Sequence, residues 1–272
     1  MIERRAAPTI AVAGWVVTLL DLGAIHAPLN WVFPHAEEGE LAWLPSNGLL
    51  CRQGEDAVLV DCGLGPHADI FELEVRHVDV ADALASNGCA AEHISTVVLS
   101  HLDADHIGGV VAGEPDRSLR PSFPLARVVV LDLGLDVLDG RATTRSELAE
   151  TIGVTLREAG TRIDAVRDGV EVKPGLRVRS APGHRTGHAC VELSGHGERF
   201  VYLADGIHAR EHVEHPEWDF LHDSEPELAL TTRRALIDEL AGSGTVVACS
   251  HVDGFGRIER GRDCTPAWVD VA

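Results

Sequence analysis

The stretch from Ile94 to Gly109 decides the fold and reads Ile-Ser-Thr-Val-Val-Leu-Ser-His-Leu-Asp-Ala-Asp-His-Ile-Gly-Gly. Its first six residues are largely β-branched and apolar, which predicts a buried strand that ends at Ser100. The polar run His101-Leu102-Asp103-Ala104-Asp105-His106 follows on the loop that leaves the strand. Imidazole and carboxylate groups bind zinc, iron and manganese, and carboxylates this close together repel unless a cation offsets their charge. The run therefore predicts a metal site, with a solvated acidic loop that caps the next helix as the alternative.

Three further candidate ligands follow predicted strands elsewhere in the chain. Strands are predicted at 176–180, 200–203 and 245–249, and His184, Asp205 and His251 lie beyond their ends. Each is a residue type that binds transition metals. Four separate strand ends that carry such residues favour one shared metal centre over an acidic loop.

The remaining patterns predict strands mixed with helices. Two apolar runs, Gly48–Cys51 and Ala57–Cys62, flank a polar segment with a glycine, which is typical of a β-hairpin. The run from Thr9 to Leu22 predicts a core strand and is too short for a membrane span. Ser224-Glu225-Pro226-Glu227 has the pattern of a capping box that opens a helix, whose apolar face would carry Leu228, Leu236 and Leu240. We predict a layered α/β or α+β fold, in one domain over residues 1–272.

The motifs as a set resemble the metallo-β-lactamase superfamily. That family has His-x-His-x-Asp-His, then a Gly-His, a bridging Asp and a final His, and the match here runs from about Asn47 to His251. The resemblance implies an α+β fold, specifically an αβ/βα four-layer sandwich. The segments His215-Pro216-Glu217-Trp218 and Gly254-Phe255-Gly256-Arg257-Ile258 look like the branch with lactonases and methyl parathion hydrolase-like enzymes.

Carried over by position, the resemblance implies two metal sites joined by Asp205. The first would hold His101, Asp103 and His184, and the second Asp105, His106 and His251. The family's second histidine is Asp103 here, and an acidic ligand should weaken the preference for zinc relative to iron or manganese. His208 lies three residues after Asp205, where related lactonases place a residue that hydrogen-bonds the substrate carbonyl oxygen.

The resemblance implies a binuclear metal-dependent hydrolase with two divalent transition-metal ions, of which zinc is expected. A metal-bridging hydroxide would attack a small ester, above all a lactone, with Asp105, Asp205 and His208 as the catalytic residues. A phosphotriester at the same site is one alternative. A non-haem di-iron oxidoreductase is another, motivated by the carboxylate of Asp103. A metal-binding domain without catalysis is the third.

The amino-acid composition limits the classes of molecule that the protein is expected to bind. The formal net charge is −20, so a phosphate backbone would be repelled over most of the surface and nucleic acid is not expected. The six cysteines are scattered without a CxxC pair, and the start Met1–Arg5 has no pattern of an export signal, so we predict a cytoplasmic protein that acts on a small molecule. No membrane contact is expected, and a monomer and a homodimer both stay open.

Overall fold

The computed structural model describes residues 7–66, 73–114, 118–142 and 146–271. The first five residues, for which no export signal is predicted, lie outside these ranges. Within the described ranges, no helix has the length and apolar character that a membrane span requires. That the whole chain forms one domain stays a prediction.

The elements alternate along the chain as the sequence patterns indicate. The helices are α1 (Val80–Ser86), α2 (Ala104–Ile107), α3 (Asp132–Leu138), α4 (Glu147–Glu158) and α5 (Pro226–Leu240). The strands are β1 (Thr9–Val12), β2 (Trp15–Pro28), β3 (Leu41–Gln53), β4 (Asp56–Val60), β5 (Glu74–His77), β6 (Thr96–Val98), β7 (Val111–Ala112), β8 (Arg120–Pro121), β9 (Arg127–Leu131), β10 (Ile163–Val166), β11 (Glu171–Lys173), β12 (Leu176–Ser180), β13 (Ala189–Gly195), β14 (Glu198–Tyr202), β15 (Val246–Cys249), β16 (Val252–Arg260) and β17 (Pro266–Val271).

Two mixed sheets form the centre of the fold. The first has the order β1-β2-β3-β4-β6-β9-β10, with β5 paired to β2, and the second runs from β11 to β17 in chain order. Strands β7 and β8 form a small separate pair. The hairpin predicted around residues 52–56 is present, because β3 and β4 pair antiparallel with Leu49 opposite Val60.

Alternating side chains make the sheets into the inner layers of a four-layer sandwich. In β14, Phe200 and Tyr202 pack between the sheets while Val201 faces α5. In β4, Val58 and Val60 likewise face the other sheet, whereas the side chain between them joins the cluster that includes residues of α1, α3 and α4. Strands with a period of two that are buried on both faces require cover on each side. The predicted αβ/βα four-layer architecture is confirmed.

Parallel strands bring their carboxyl ends to one edge of the sandwich. Strand β4 pairs parallel with β6 in the first sheet, and β14 pairs parallel with β15 in the second. The residues that leave these strands, together with the loop after β12, meet at this edge. The fold therefore gathers segments that are up to 190 residues apart into one site.

Two local predictions were wrong. The run Thr9–Leu22 is not one strand, because Ala13 and Gly14 both adopt positive φ angles, of 54° and 81°, and form the tight turn between β1 and β2. The predicted capping box does not form, because the residue that precedes α5 is Glu225 and no side chain caps the helix. The backbone N–H of Ser224 instead donates to the carbonyl of His184, and on the predicted apolar face Leu228 is 36% exposed.

Candidate metal centre

Short, tightly fixed segments carry the predicted ligands. His101 lies three residues after the end of β6, and α2 begins after Asp103, so that Asp105 and His106 lie in the first turn of that helix. The helix is held against the segment after β4, because the N–H of Cys62 donates to the carbonyl of His106 at 2.7 Å. Gly109 has no room for a side chain, since a Cβ there would lie 2.0 Å from the carbonyl oxygen of Cys62. The double glycine after the polar run thus permits this close backbone approach.

Asp205 lies at the centre of the cluster. Its Oδ2 is 3.3 Å from Nε2 of His184, 3.2 Å from Nε2 of His251 and 3.8 Å from Nε2 of His101. Its other oxygen, Oδ1, is 3.3 Å from Nε2 of His106. The carboxylate therefore stands between two groups of imidazoles, as a bridging ligand must.

Six of the predicted ligands form two groups of metal-ligand spacing. One group joins His101, His184 and Asp205, and the other joins Asp105, His106 and His251, with all ligand atoms in each group within 4.8 Å of one another. Two ligand atoms that are each about 2.1 Å from a tetrahedral ion lie about 3.4 Å apart, close to the separations observed here.

Buried nitrogens without partners show that the cluster fits a metal. In the described part of the chain, Nε2 of His101, His106 and His184 is buried and has no hydrogen-bond partner. A buried polar atom without a partner costs about 1–3 kcal/mol. Three such atoms that face one carboxylate fit the donor set of a transition metal, which would satisfy all of them.

The opposite ring nitrogens are held by other groups, which fix each imidazole. Nδ1 of His106 pairs with Asp61 at 2.9 Å, and Nδ1 of His184 pairs with Asp223 at 2.9 Å. The carbonyl oxygen of Pro45 lies 2.6 Å from Nδ1 of His251. With the proton on Nδ1, each Nε2 lone pair is left free for a metal.

Charges in the cluster act strongly on one another. Burial lowers the pKa of His106, but the carboxylates of Asp205, Asp105 and Asp61 outweigh it and hold that pKa well above its ordinary value. Burial raises the pKa of Asp205, yet the neighbouring imidazoles, His106 first, keep it well below the ordinary value. A metal ion at this centre would therefore compete with protonation of His106.

Asp103 lies at the edge of the first group. Its Oδ2 is 3.8 Å from Nε2 of His101 and 3.8 Å from Nε2 of His184, while Nε of Arg185 lies 2.8 Å from the same oxygen. The side chain is 31% exposed, whereas those of the two histidines are buried. The structure brings the other six predicted ligands into the two groups and places Asp103 beside the first of them.

His208 stands beside the same carboxylate in an apolar wall. Its Nε2 is 3.6 Å from Oδ2 of Asp205, and its ring stacks on Phe220 with centroids 3.9 Å apart. Among the described residues, neither ring nitrogen of His208 has a hydrogen-bond partner. Trp218 lies further out and stacks on His215 at 4.3 Å. Phe220 thus lies next to the cluster.

Sequence patterns missed several residues that support the ligands. Asp61 accepts hydrogen bonds from Ser100 and Tyr202 as well as contacting His106. Asp61 lies within a predicted strand, and its carboxylate near the end of an apolar run is the sequence feature that could have identified it. Asp223 carried no signal of its own, because it follows no strand. His188, four residues after His184, also supports the cluster, because its Nε2 accepts a hydrogen bond from the N–H of Asp205 at 3.2 Å.

Comparison with known proteins now adds to this geometry. The sequence model of the metallo-beta-lactamase superfamily matches residues 41–251. The chain belongs to the metallo-beta-lactamase superfamily. As a member it is a metal-dependent hydrolase, in agreement with its buried ligand groups. No curated protein shows significant sequence similarity to the chain.

Several solved structures with a similar fold are described as hydrolases. AidC, described as a dizinc quorum-quenching lactonase in complex with the product N-hexanoyl-L-homoserine, shares 21% identity over 98% of both chains with a TM-score of 0.80. A hydrolase named AbOPH shares 22% identity over 99% of both chains with a TM-score of 0.83. A probable metal-dependent hydrolase from Staphylococcus aureus shares 14% identity over 96% of this chain and 99% of its own, with a TM-score of 0.75. At these identities each likeness shows a shared fold.

Proposed function

We propose that the protein hydrolyses a small ester, specifically a lactone, at a centre of two divalent metal ions. The observation that carries the proposal is the buried Asp205 carboxylate, which lies within 3.3 Å of histidines from both ligand groups. The free Nε2 atoms around it point to cations on both sides. The first ion would be held by His101, Asp103 and His184, the second by Asp105, His106 and His251, and Asp205 would bridge them.

When bound, two such ions lower the pKa of the water that they share and polarise a carbonyl oxygen. Asp105 would help to hold the second ion and would orient that water, since its Oδ2 lies 3.6 Å from Nε2 of His106 and 3.8 Å from Nε2 of His251, the other ligands of that group. The oxygen of water joins the carbonyl carbon as the ring C–O bond breaks. Asp205 carries the released proton to the leaving oxygen, and the product is a hydroxy acid.

His208 is proposed to hold the substrate carbonyl. Burial holds its pKa well below the ordinary value, so the ring is neutral at pH 7 and carries one N–H donor and one acceptor. Stacking on Phe220 fixes the ring plane, and both nitrogens are free of protein partners in the described ranges. A neutral donor of fixed orientation suits a carbonyl oxygen that gains negative charge during attack. The fold shared with AidC, which is described with a lactone-derived product, supports the lactone as substrate.

A substrate panel tests the proposal. Purified protein with two equivalents of zinc should hydrolyse N-acyl homoserine lactones and aryl esters with higher kcat/KM than penicillins or carbapenems, and without oxygen uptake. Phosphotriesters belong in the panel because the same centre could polarise a phosphoryl oxygen. A β-lactam or phosphotriester preference would overturn the lactone assignment, and substrate-dependent oxygen uptake without ester turnover would favour the di-iron oxidoreductase.

A matched pair of histidine variants tests the substrate role of His208. His208→Phe keeps an aromatic ring on Phe220 but removes both nitrogens, and should lower kcat/KM for lactones on the order of 100-fold while two ions stay bound. His215→Phe changes a half-exposed ring on the same segment and should leave kcat/KM within about twofold. Equal activity of the two variants would contradict the role.

The proposed ligands also bear on which metal ions bind. Zinc is the proposed ion at both sites, with iron or manganese as alternatives at the first site because Asp103 is a hard, charged ligand.

All six cysteines are free thiols, as a reducing compartment would keep them, and we propose a cytoplasmic location for the protein.

A further inference from the structure

Arg185 is the cation beside the one ligand position at which this chain departs from its family. It follows His184 in the loop between β12 and β13, and its Nε lies 2.9 Å from Oδ1 and 2.8 Å from Oδ2 of Asp103. Its Nη1 donates to the carbonyl oxygen of His184 at 3.0 Å and also to the carbonyl oxygen of His222. A further contact reaches Oγ of Ser224 at 3.4 Å. The guanidinium is thus anchored on the protein side and presents one edge to Asp103.

Among the described residues, Asp103 has no other hydrogen bond that would fix its carboxylate in the ligand position. It precedes α2, but its side chain does not cap the helix, and 31% of it is exposed. A short carboxylate in such a place is free to turn into solvent unless something holds it. The contact with Arg185 keeps Oδ2 on the side that faces Nε2 of His101 and Nε2 of His184, each 3.8 Å away.

The charge of the centre supports the same conclusion. With Asp103 the proposed ligand set holds three carboxylates, Asp103, Asp105 and Asp205, and has a formal charge of −3, compared with −2 if position 103 carried a neutral histidine. Arg185 returns one positive charge within hydrogen-bond distance of the added carboxylate. A single N–H shared by two oxygens leaves lone pairs on Oδ2, since a carboxylate accepts about four hydrogen bonds. Arg185 and a metal ion can therefore bind Asp103 together.

We propose that Arg185 is a positioning residue that makes Asp103 a ligand of the first metal. The Asp103–Arg185 pair replaces a single histidine ligand. The carboxylate supplies the ligand oxygen, and the guanidinium fixes the carboxylate and balances its charge. This inference rests on the proposed two-metal site.

A double-mutant cycle on metal affinity tests the pair. Stepwise Zn²⁺ affinities, from competition with a chromophoric chelator, are measured for wild type, Arg185→Gln, Asp103→His and the double variant, and Co²⁺ absorption spectra report the geometry of each site. Arg185→Gln should weaken the first site about 10- to 100-fold in the wild-type background. In the Asp103→His background it should change the affinity less than threefold, because an imidazole needs no guanidinium to hold it. The second site should keep its affinity in all four proteins.

Arg185→Lys separates position from charge. An ammonium keeps the charge but cannot donate to Asp103 and to two backbone carbonyls in the fixed geometry of a guanidinium, so it should recover less than half of the lost affinity on a logarithmic scale. First-site affinity that stays equal or rises in Arg185→Gln would show that the guanidinium competes with the metal, and would overturn the proposal. Full recovery by lysine would overturn the positioning role. Because these readouts are metal affinities, their outcome is independent of the substrate panel that tests the lactonase proposal.

Discussion

Replacing Arg233 with methionine should destabilise the protein by about 3–5 kcal/mol, although the residue is not among the proposed metal ligands or catalytic residues. Arg233 is 1% exposed and projects from α5 beneath the candidate site. Its guanidinium donates to the carbonyl oxygens of Gly206, Pro216 and Trp218 at 3.2, 2.9 and 2.7 Å. One side chain therefore ties down the segment that carries His208.

The size of the effect follows from what methionine leaves behind. Nη2 of Arg233 also lies 3.3 Å from Oδ2 of Asp223, whose other oxygen contacts Nδ1 of His184. Both partners of the ion pair have side chains only 1% exposed, so solvent cannot replace the lost cation. Removal of one member of a buried pair leaves an uncompensated charge, which is the costly case.

Thermal unfolding of the chelator-treated protein at one scan rate measures the effect without a contribution from bound metal. For a chain of this size the loss corresponds to a fall in Tm of roughly 6–20 °C. Arg234→Met is the matched control, because Arg234 is the next residue on the same helix and is exposed; it should stay within about 0.5 kcal/mol of wild type. Equal Tm values for the two variants would refute the importance of the buried pair.

Three further changes have expected outcomes. Asp103→His should keep two ions bound and shift the preference towards zinc, whereas Asp103→Ala should lower first-site occupancy and the rate of hydrolysis; equal metal content and equal rates in Asp103→Ala and wild type would rule out a ligand role. A thiol reagent at pH 8 should label one cysteine of the native chain, the exposed Cys264, because burial raises the pKa of thiols such as Cys51 to about 12; two or more fast thiols would contradict this. Burial lowers the pKa of His212 to about 4, whereas an unfolded histidine takes up its proton near pH 6.5, so the stability it contributes is complete above pH 6.5 and is lost as the pH falls towards 4. His212→Asn should therefore lose less Tm between pH 7.5 and pH 4.5 than wild type, and an equal loss would show that His212 is not responsible.

Strand patterns in this sequence were strong because two buried sheets impose them. In β9 the side chains alternate between two apolar layers, whereas in β12, predicted at 176–180, the buried Leu176 and Val178 alternate with more exposed polar residues. The same strand ends located the ligands, because catalytic loops leave a layered fold at the carboxyl ends of its parallel strands. Ala13 and Gly14 were misjudged, since a two-residue turn between apolar strands leaves little polar signal.

Contacts between distant segments could not be predicted from the local sequence. The pairing of His184 with Asp223 joins positions 39 residues apart, and that of Arg185 with Asp103 joins positions 82 apart. The failed capping box at Ser224 has the same cause, because His184 takes up its backbone N–H through a tertiary contact. Periodicity describes which face of an element is buried, and it says nothing about which charged group lies opposite.

The number of divalent ions per chain in wild type and in His106→Ala, measured by elemental analysis after saturation with zinc and removal of excess, tests the two-metal centre most directly. His106 supplies one of the few neutral ligands of the second group, and its Nε2 is buried and unpartnered among the described residues. Wild type should hold two ions, and His106→Ala one, with hydrolysis lost or strongly reduced. A single ion in wild type, or the same ion count with the same activity in both proteins, would contradict a binuclear centre bridged by Asp205.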